Sequence, residues 1–292
     1  MENLVCHYTS LDALRNIMGK KLCLWATHYS HLNDPSEHIW AEKYVIESIK
    51  KEHDFQHDSF RDIKGWFGIE PYILSLSRKM DDRNMWRLYC NDGKGVCLVL
   101  DEDILKDYCR QLTYDNPENL FCIVENVEYS TKEDIGKAFE KCKANINFDI
   151  VTEEQESLWM RMVPFIKNAD YDIEAEVRCA ILRETKCISV PYDETTKGPG
   201  KLSFCMNNSN RKYRMRGEDL VPYIELKLPT KILKRIILGY RVKEKEANEY
   251  ITNIIQYSGS KYKDLKTEKS NLFSSYNQKE YNKDNYITIE RQ

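Results

Sequence analysis

The chain has 292 residues, a formal net charge of −3, 41% apolar residues and 31% charged residues. These are globular proportions, which exclude wholesale disorder, and the near balance of charge excludes the strongly basic footprint of a general DNA-binding protein. The length suits one large α/β domain or two small ones, with enough residues for a substantial core.

In chain order, residues 4–9 read as a first strand that ends at Thr9 or Ser10. Leu11, Leu14 and Ile17/Met18 then recur at helical spacing, with Gly19 as a C-cap. "KLCLWAT" (21–27) is a short strand, followed by the loop "HYSHLNDPSE" (28–37) and a helix expected over 36–51. "YILSLSRK" alternates as a strand, with Tyr72, Leu74 and Leu76 on one face and Ser75 and Ser77 on the other. "CNDGKGVCLVL" reads as a glycine turn into a buried strand at 96–101. Further expectations are a strand at 121–130, helical stretches at 131–143 and 152–166, and a strand at 173–182. After a polar excursion (191–217) come the strands of "PYIELKLP" and "RIILGY" and a helix over 243–257. Residues 1–257 are thus expected to form a single domain of α+β (mixed α/β) class, because the strands show no regular βαβ alternation. Residues 258–292, rich in Lys, Asn, Ser and Tyr, are expected to be a polar tail or an added edge.

Five of the ten cysteines (Cys6, Cys23, Cys97, Cys122, Cys179) sit inside strand-like apolar runs, where a free thiol packs as a small hydrophobe. With no Cys-x-x-Cys and no signal-like N-terminus, reduced thiols and a cytoplasmic location are expected. No apolar run approaches the ~20 residues that span a bilayer, so no membrane association is expected.

All six histidines lie within residues 7–57. His53 and His57 stand at i, i+4 but lack the Glu of the helical zinc motif, and His28 and His31 flank a loop, so no metal site is expected. No Gly-x-Ser-x-Gly surrounds Ser75 or Ser77, and "DGKGV" is too short for a phosphate-binding loop. "YDIEAEVRC" (171–179) carries more chemistry. At strand period, Glu174, Glu176 and Arg178 share one face and Ala175, Val177 and Cys179 the other. Two carboxylates in register repel, so solvent, Arg178 or a ligand must compensate. Cross-strand pairing on a solvated face and an active-site wall are the two readings.

The stretches "HYTS" (7–10), "LNDPSE" (32–37), "ILSLS" (73–77), "WRLYCNDGKGVCL" (86–98), "FIK" (165–167), "EAEVR" (174–178) and "ILGY" (237–240) resemble, in this order, an uncharacterised bacterial domain family without a settled activity. A second resemblance points to chemistry. The order His7, then Ser75 and Ser77, then Glu174-x-Glu176 is similar to the NAD site of ADP-ribosyltransferases. That resemblance implies a central, strongly bent mixed sheet flanked by helices, with NAD as substrate. His7, Tyr8 and Thr9 would then contact NAD, and Ser77, supported by Ser75, would brace the site. Trp86 is expected beside the cofactor, and the turn of Asn33, Asp34 and Pro35 before the next helix is expected to put Asn33 and Asp34 on the rim of the His7 pocket. Glu176 would hold the nicotinamide ribose and stabilise its oxocarbenium-like transition state, and Glu174 would orient or deprotonate a nucleic-acid or protein acceptor. A toxin or phage-defence role would suit that activity.

Two other function classes are open. One is a nucleotide- or nucleic-acid-binding module, with "NRKYRMR" (210–216) on phosphates and Trp86, Tyr89 and Trp159 stacking on bases. The other is a metal-dependent phosphodiesterase or nuclease using Asp34, Glu37, Glu174 and Glu176 as oxygen ligands.

Overall fold

The computed structural model describes residues 2–19, 21–33, 39–44, 47, 69–116, 120–145, 161–184, 186–188, 203–205, 211–259, 261–262 and 264–272. Its strands are β1 (Leu4–Thr9), β2 (Leu22–His28), β3 (Ile69–Ser77), β4 (Val96–Asp101), β5 (Leu120–Asn126), β6 (Glu128–Ser130), β7 (Ile166–Asn168) and β8 (Glu176–Glu184). The later ones are β9 (Lys186–Ile188), β10 (Ser203–Cys205), β11 (Lys212–Arg216), β12 (Asp219–Leu228), β13 (Leu233–Leu238) and β14 (Lys266–Lys269). The helices are α1 (Leu14–Ile17), α2 (Arg83–Tyr89), α3 (Glu102–Asp115), α4 (Ile135–Asn145) and α5 (Glu244–Tyr257). Residues 39–44, within the helix expected over 36–51, are also helical.

Among the described residues a 10-stranded mixed sheet organises the molecule, and its decisive feature is a fork. One edge of β3 pairs along its whole length with β8, from Ile69↔Glu184 to Ser77↔Glu176, and β5 continues beyond β8. The other edge is shared. At the N-terminal end β2 pairs with it at Thr27↔Ile73 and His28↔Tyr72. At the C-terminal end β1 pairs with it at Cys6↔Ser77. Two branches leave the fork, β2–β12–β11 and β1–β4–β13–β14, the last pair being parallel. Residues 74–76 run through the crotch with no ladder partner on that edge among the described residues.

Helices cover both faces. Leu14, Ile17, Leu105, Cys109, Ala247 and Ile251, from α1, α3 and α5, join the apolar cluster on one face with Val5, Leu24, Leu74, Leu98, Val177 and Cys179. On the other, Met85 and Trp86 of α2 pack on Cys6, Tyr8, Cys97 and Val99, and α4 packs on Ala180 and Leu182.

Several expected bounds shift for local reasons. The run 121–130 breaks at Val127 into β5 and β6, and β6 pairs with β7 instead of the large sheet. The strand expected over 173–182 starts only at Glu176. Residues 169–174 form a 3-10 helix, and Ala175 lies in the left-handed region at φ 42°. α2 and α3 stand where the residue spacing suggested only a turn or nothing. Asp82 caps α2 by accepting from the amides of Asn84 and Met85, and Asp101 caps α3 by accepting from Ile104. The polar excursion 191–217 contains β11.

The turn between α2 and β4 is built on close backbone approach. A Cβ at Gly95 would stand 2.3 Å from the Thr9 carbonyl oxygen, and one at Gly239 2.3 Å from that of Gly93. Beyond residue 257, Tyr262 enters the main core and β14 forms the sheet edge, with Ser270 Oγ donating to Asp81 Oδ1 at 2.5 Å. No described helix is long and apolar enough to cross a membrane.

Candidate functional site

A cavity of about 390 Å³ opens at the fork. Its walls come from β1 (His7, Tyr8, Thr9), β2 (Cys23, Trp25, Thr27), β3 (Ile73, Ser75), α2 (Met85, Tyr89) and the loop residues His31 and Asn33. Lys167, Glu174 and Glu176 close one part, and Arg214 and Arg216 another. Of the residues singled out above, His7, Tyr8, Thr9, Asn33, Ser75, Glu174 and Glu176 therefore share one cavity.

Glu174 and Glu176 do not reach it as neighbours on a strand face. Glu174 ends the 3-10 helix, the left-handed turn at Ala175 reverses the local direction, and Glu176 starts β8. Ser77 lies just behind: its Oγ donates to the Glu174 carbonyl at 2.6 Å and accepts from the Lys79 amide at 3.0 Å. It braces the turn without lining the cavity. The amide of Glu176 donates to Tyr129 Oη at 2.8 Å, fixing the other side.

The carboxylates are buried and each is bonded within the protein, so the solvated-face reading does not hold. Lys167 Nζ, only 2% exposed, lies 2.7 Å from Glu174 Oε2 and 3.3 Å from Glu176 Oε2. Arg178 grips Glu176 with Nε to Oε1 at 2.8 Å and Nη2 to Oε2 at 2.9 Å, and donates Nη1 to the Pro164 carbonyl at 2.6 Å. Among the described residues Arg178 is thus ion-paired with Glu176, two residues along its own strand. Tyr89 Oη donates to Glu174 Oε1 at 2.7 Å. Burial alone would raise the Glu176 carboxyl, but Arg178 and Lys167 outweigh it and hold it below its ordinary value. Lys167 fills the place between the carboxylates where a divalent cation would be bound. Asp34 and Glu37, the other two oxygen ligands considered for a nuclease, lie outside the described residues.

His7 is half-buried, and its Nδ1 lies 3.2 Å from the Ser75 carbonyl in the unpaired stretch of β3. A carbonyl only accepts, so Nδ1 carries the proton and Nε2 is left as an acceptor. Burial lowers the pKa of the imidazole by more than this bond raises it, so the ring is mainly neutral at pH 7. Tyr8 Oη donates to the Lys79 carbonyl at 2.8 Å, tying β1 to the chain after β3.

At the β2 branch the cavity turns basic. The Arg214 guanidinium lies 5.0 Å from the Trp25 ring centroid, and its Nη2 donates to Thr27 Oγ1 at 3.1 Å. Its buried Nε has no partner among the described residues. Burial and the nearby Arg216 both disfavour the charge on Arg214. An anion in the cavity would offset that repulsion.

Trp86 is not a cavity residue. It is fully buried, donates Nε1 to Asp81 Oδ1 at 2.8 Å and packs edge-on against Tyr8, so its ring is unavailable for stacking on a ligand. His53, His57 and Trp159 lie outside the described residues. Residue reasoning missed Lys167 and Trp25. Lys167 sits in "VPFIKNAD", where a cation ending an apolar run signals a buried charge that needs partners.

Residues 85–179 match a protein family of unknown function (DUF2971). That segment carries Tyr89, Lys167, Glu174, Glu176 and Arg178, and it supports the resemblance to an uncharacterised domain family. The chain has no significant match among curated proteins or among solved structures.

Proposed function

We propose that the fork cavity binds a nucleotide and that the protein acts on NAD as an ADP-ribosyltransferase-like enzyme. The observation that carries this reading is the polarity of a single cavity. Arg214 and Arg216, which line one part of the cavity, suit a diphosphate. The carboxylates stand at the other end, and Trp25, packed by Arg214 and Tyr223, lines the wall. Along β3 the two ends are marked by Ile73, beside Thr27, and Ser77, beside Glu176. Four residues of strand span about 13 Å, a length that suits a diphosphate joined to a ribose. A cavity near 400 Å³ is also within the usual range of about 300–1,000 Å³ for small-molecule sites.

The chemistry follows from charge. Cleavage of the nicotinamide–ribose bond sends the electron pair out with nicotinamide and leaves positive charge on the sugar. Glu176, ionised and locked by Arg178, is a fixed anion that stabilises that charge more than it stabilises the ground state. Glu174 accepts the proton of an acceptor hydroxyl or amine as that nucleophile bonds to the ribose carbon. His7 Nε2 and Thr9 receive hydroxyl or amide hydrogens of NAD.

A second reading is favoured by one observation. Lys167 and Arg178 already neutralise both carboxylates, which suits a nucleotide-binding module without turnover. Incubation with adenylate-labelled NAD and a bacterial lysate separates the two. Nicotinamide release and labelled macromolecules, both reduced about 10²–10³-fold by Glu176→Gln, support the transferase. Bound but intact NAD supports the module, and neither binding nor cleavage retires both.

A further inference from the structure

Away from the fork, three cysteines from three elements converge in the apolar core. Cys109 lies on α3, Cys122 on β5 and Cys179 on β8, exposed by 1%, 5% and 0%. Cys179 Sγ is 3.5 Å from Cys109 Sγ and 3.9 Å from Cys122 Sγ, and all three sulfurs lie within 4.8 Å of one another. Cys122 and Cys179 are diagonal neighbours on facing strands, since Cys122 stands opposite Ile181 and Cys179 opposite Val124. Thr113 sets the third distance. Its hydroxyl bonds the Cys109 carbonyl at 3.1 Å and accepts from the Cys122 amide at 2.8 Å, clamping α3 to β5 at these cysteines.

We propose that Cys109, Cys122 and Cys179 form a three-sulfur site for a trivalent thiophilic metalloid, with arsenite as the simplest source. Bonds of about 2.3 Å to sulfur place three sulfurs around one centre roughly 3.5–4 Å apart, close to the spacing present. The surroundings then select the ion. Zinc takes a fourth ligand, and the described residues bring only these three to the point. Copper(I) with three thiolates would leave two net negative charges among Leu105, Val124 and Val177, where uncompensated charge is costly. A trivalent centre with three thiolates is neutral. Arsenous acid and three thiols form three As–S bonds and release three waters, with no change of oxidation state and no net proton release.

The test uses the full-length reduced protein with arsenite, zinc or copper(I) supplied separately. Arsenite should leave one arsenic per chain after gel filtration, with the mass gain of arsenic less three hydrogens and a raised melting temperature. Alkylation under denaturing conditions should then find Cys109, Cys122 and Cys179 protected and the other cysteines modified. Single Cys→Ser or Cys→Ala changes at the three positions should weaken retention at least tenfold, and Cys97→Ser should not. Loss of arsenic on gel filtration, protection of other cysteines, or capture of zinc or copper(I) but not arsenite would overturn the proposal. The protection pattern is read on the unaltered chain, so it decides even if a core variant fails to fold.

Discussion

Replacing Lys167 by Met tests whether the Glu174–Lys167–Glu176 bridge holds the site together. Met keeps the length of the side chain and removes its charge. The ammonium lies 2.7 Å and 3.3 Å from the two carboxylates, and none of the three side chains is more than 10% exposed. Removing one partner of a buried ion pair typically costs about 3–5 kcal/mol. Arg178 keeps Glu176 paired, which sets the expectation at the lower end, about 3 kcal/mol. At ~2–4 °C per kcal/mol for a chain somewhat shorter than this one, the melting temperature should fall by roughly 6–12 °C at pH 8. The pH dependence has a definite sign. In the native protein Glu176 is held below its ordinary value, so its contribution is present above the unfolded pKa of about 4.3 and is lost as pH falls through the folded value. Without Lys167 the two carboxylates repel, and the folded pKa of one rises above its unfolded value. That penalty is full at high pH and shrinks as pH drops through the raised value. Thermal melts from pH 8 to pH 5 should therefore show the gap between variant and native protein narrowing. Adding Glu174→Gln to the variant should recover part of the loss at pH 8. A Lys167→Met protein that melts within about 2 °C of the native one at pH 8, with no pH trend, would refute the bridge as a structural element.

Two further outcomes follow from the packing. Gly239→Ala should destabilise by about 1–3 kcal/mol, read in urea melts, because its Cβ would press on the Gly93 carbonyl; unchanged stability would show that the turn yields. A chain ending at residue 272 keeps β14 and its bonds. One ending at residue 262 should melt lower and aggregate, since it strips β14 from the β13 edge and removes the Ser270 and Asn271 bonds to Asp81. Equal melts of the two truncations would contradict that role.

Strand positions were legible because their apolar alternation or continuity is strong: "LVCHYT" and "VCLVLD" fall where β1 and β4 lie. α3 was equally available and was overlooked. Asp101 as cap, Glu102 and Asp103 in the first turn, and Leu105, Tyr108, Cys109 and Leu112 at helical spacing all announce it. The carboxylate pair was recognised, but its geometry was not, because alternation through Ala175 assumes an extended residue and this one is left-handed. The fork could not be read at all. It depends on β3 exchanging partners along one edge, a long-range register that no local pattern encodes. Trp25 reaches the cavity only through that register, and Lys167 through the separate β6–β7 pairing, whereas Trp86, expected beside the cofactor, is a core residue.

The central claim is that the fork cavity is a nucleotide site, and calorimetric titration of NAD tests it most directly. Native protein and Arg214→Ala should be titrated at low and moderate salt, with nicotinamide assayed in the cell afterwards. The account predicts saturable binding at one site per chain, weakened at least tenfold by Arg214→Ala as a charge-assisted phosphate contact is lost. The affinity of the native protein should be more sensitive to salt than that of the variant. Absence of binding heat with NAD, or equal affinity in native protein and Arg214→Ala, would contradict it.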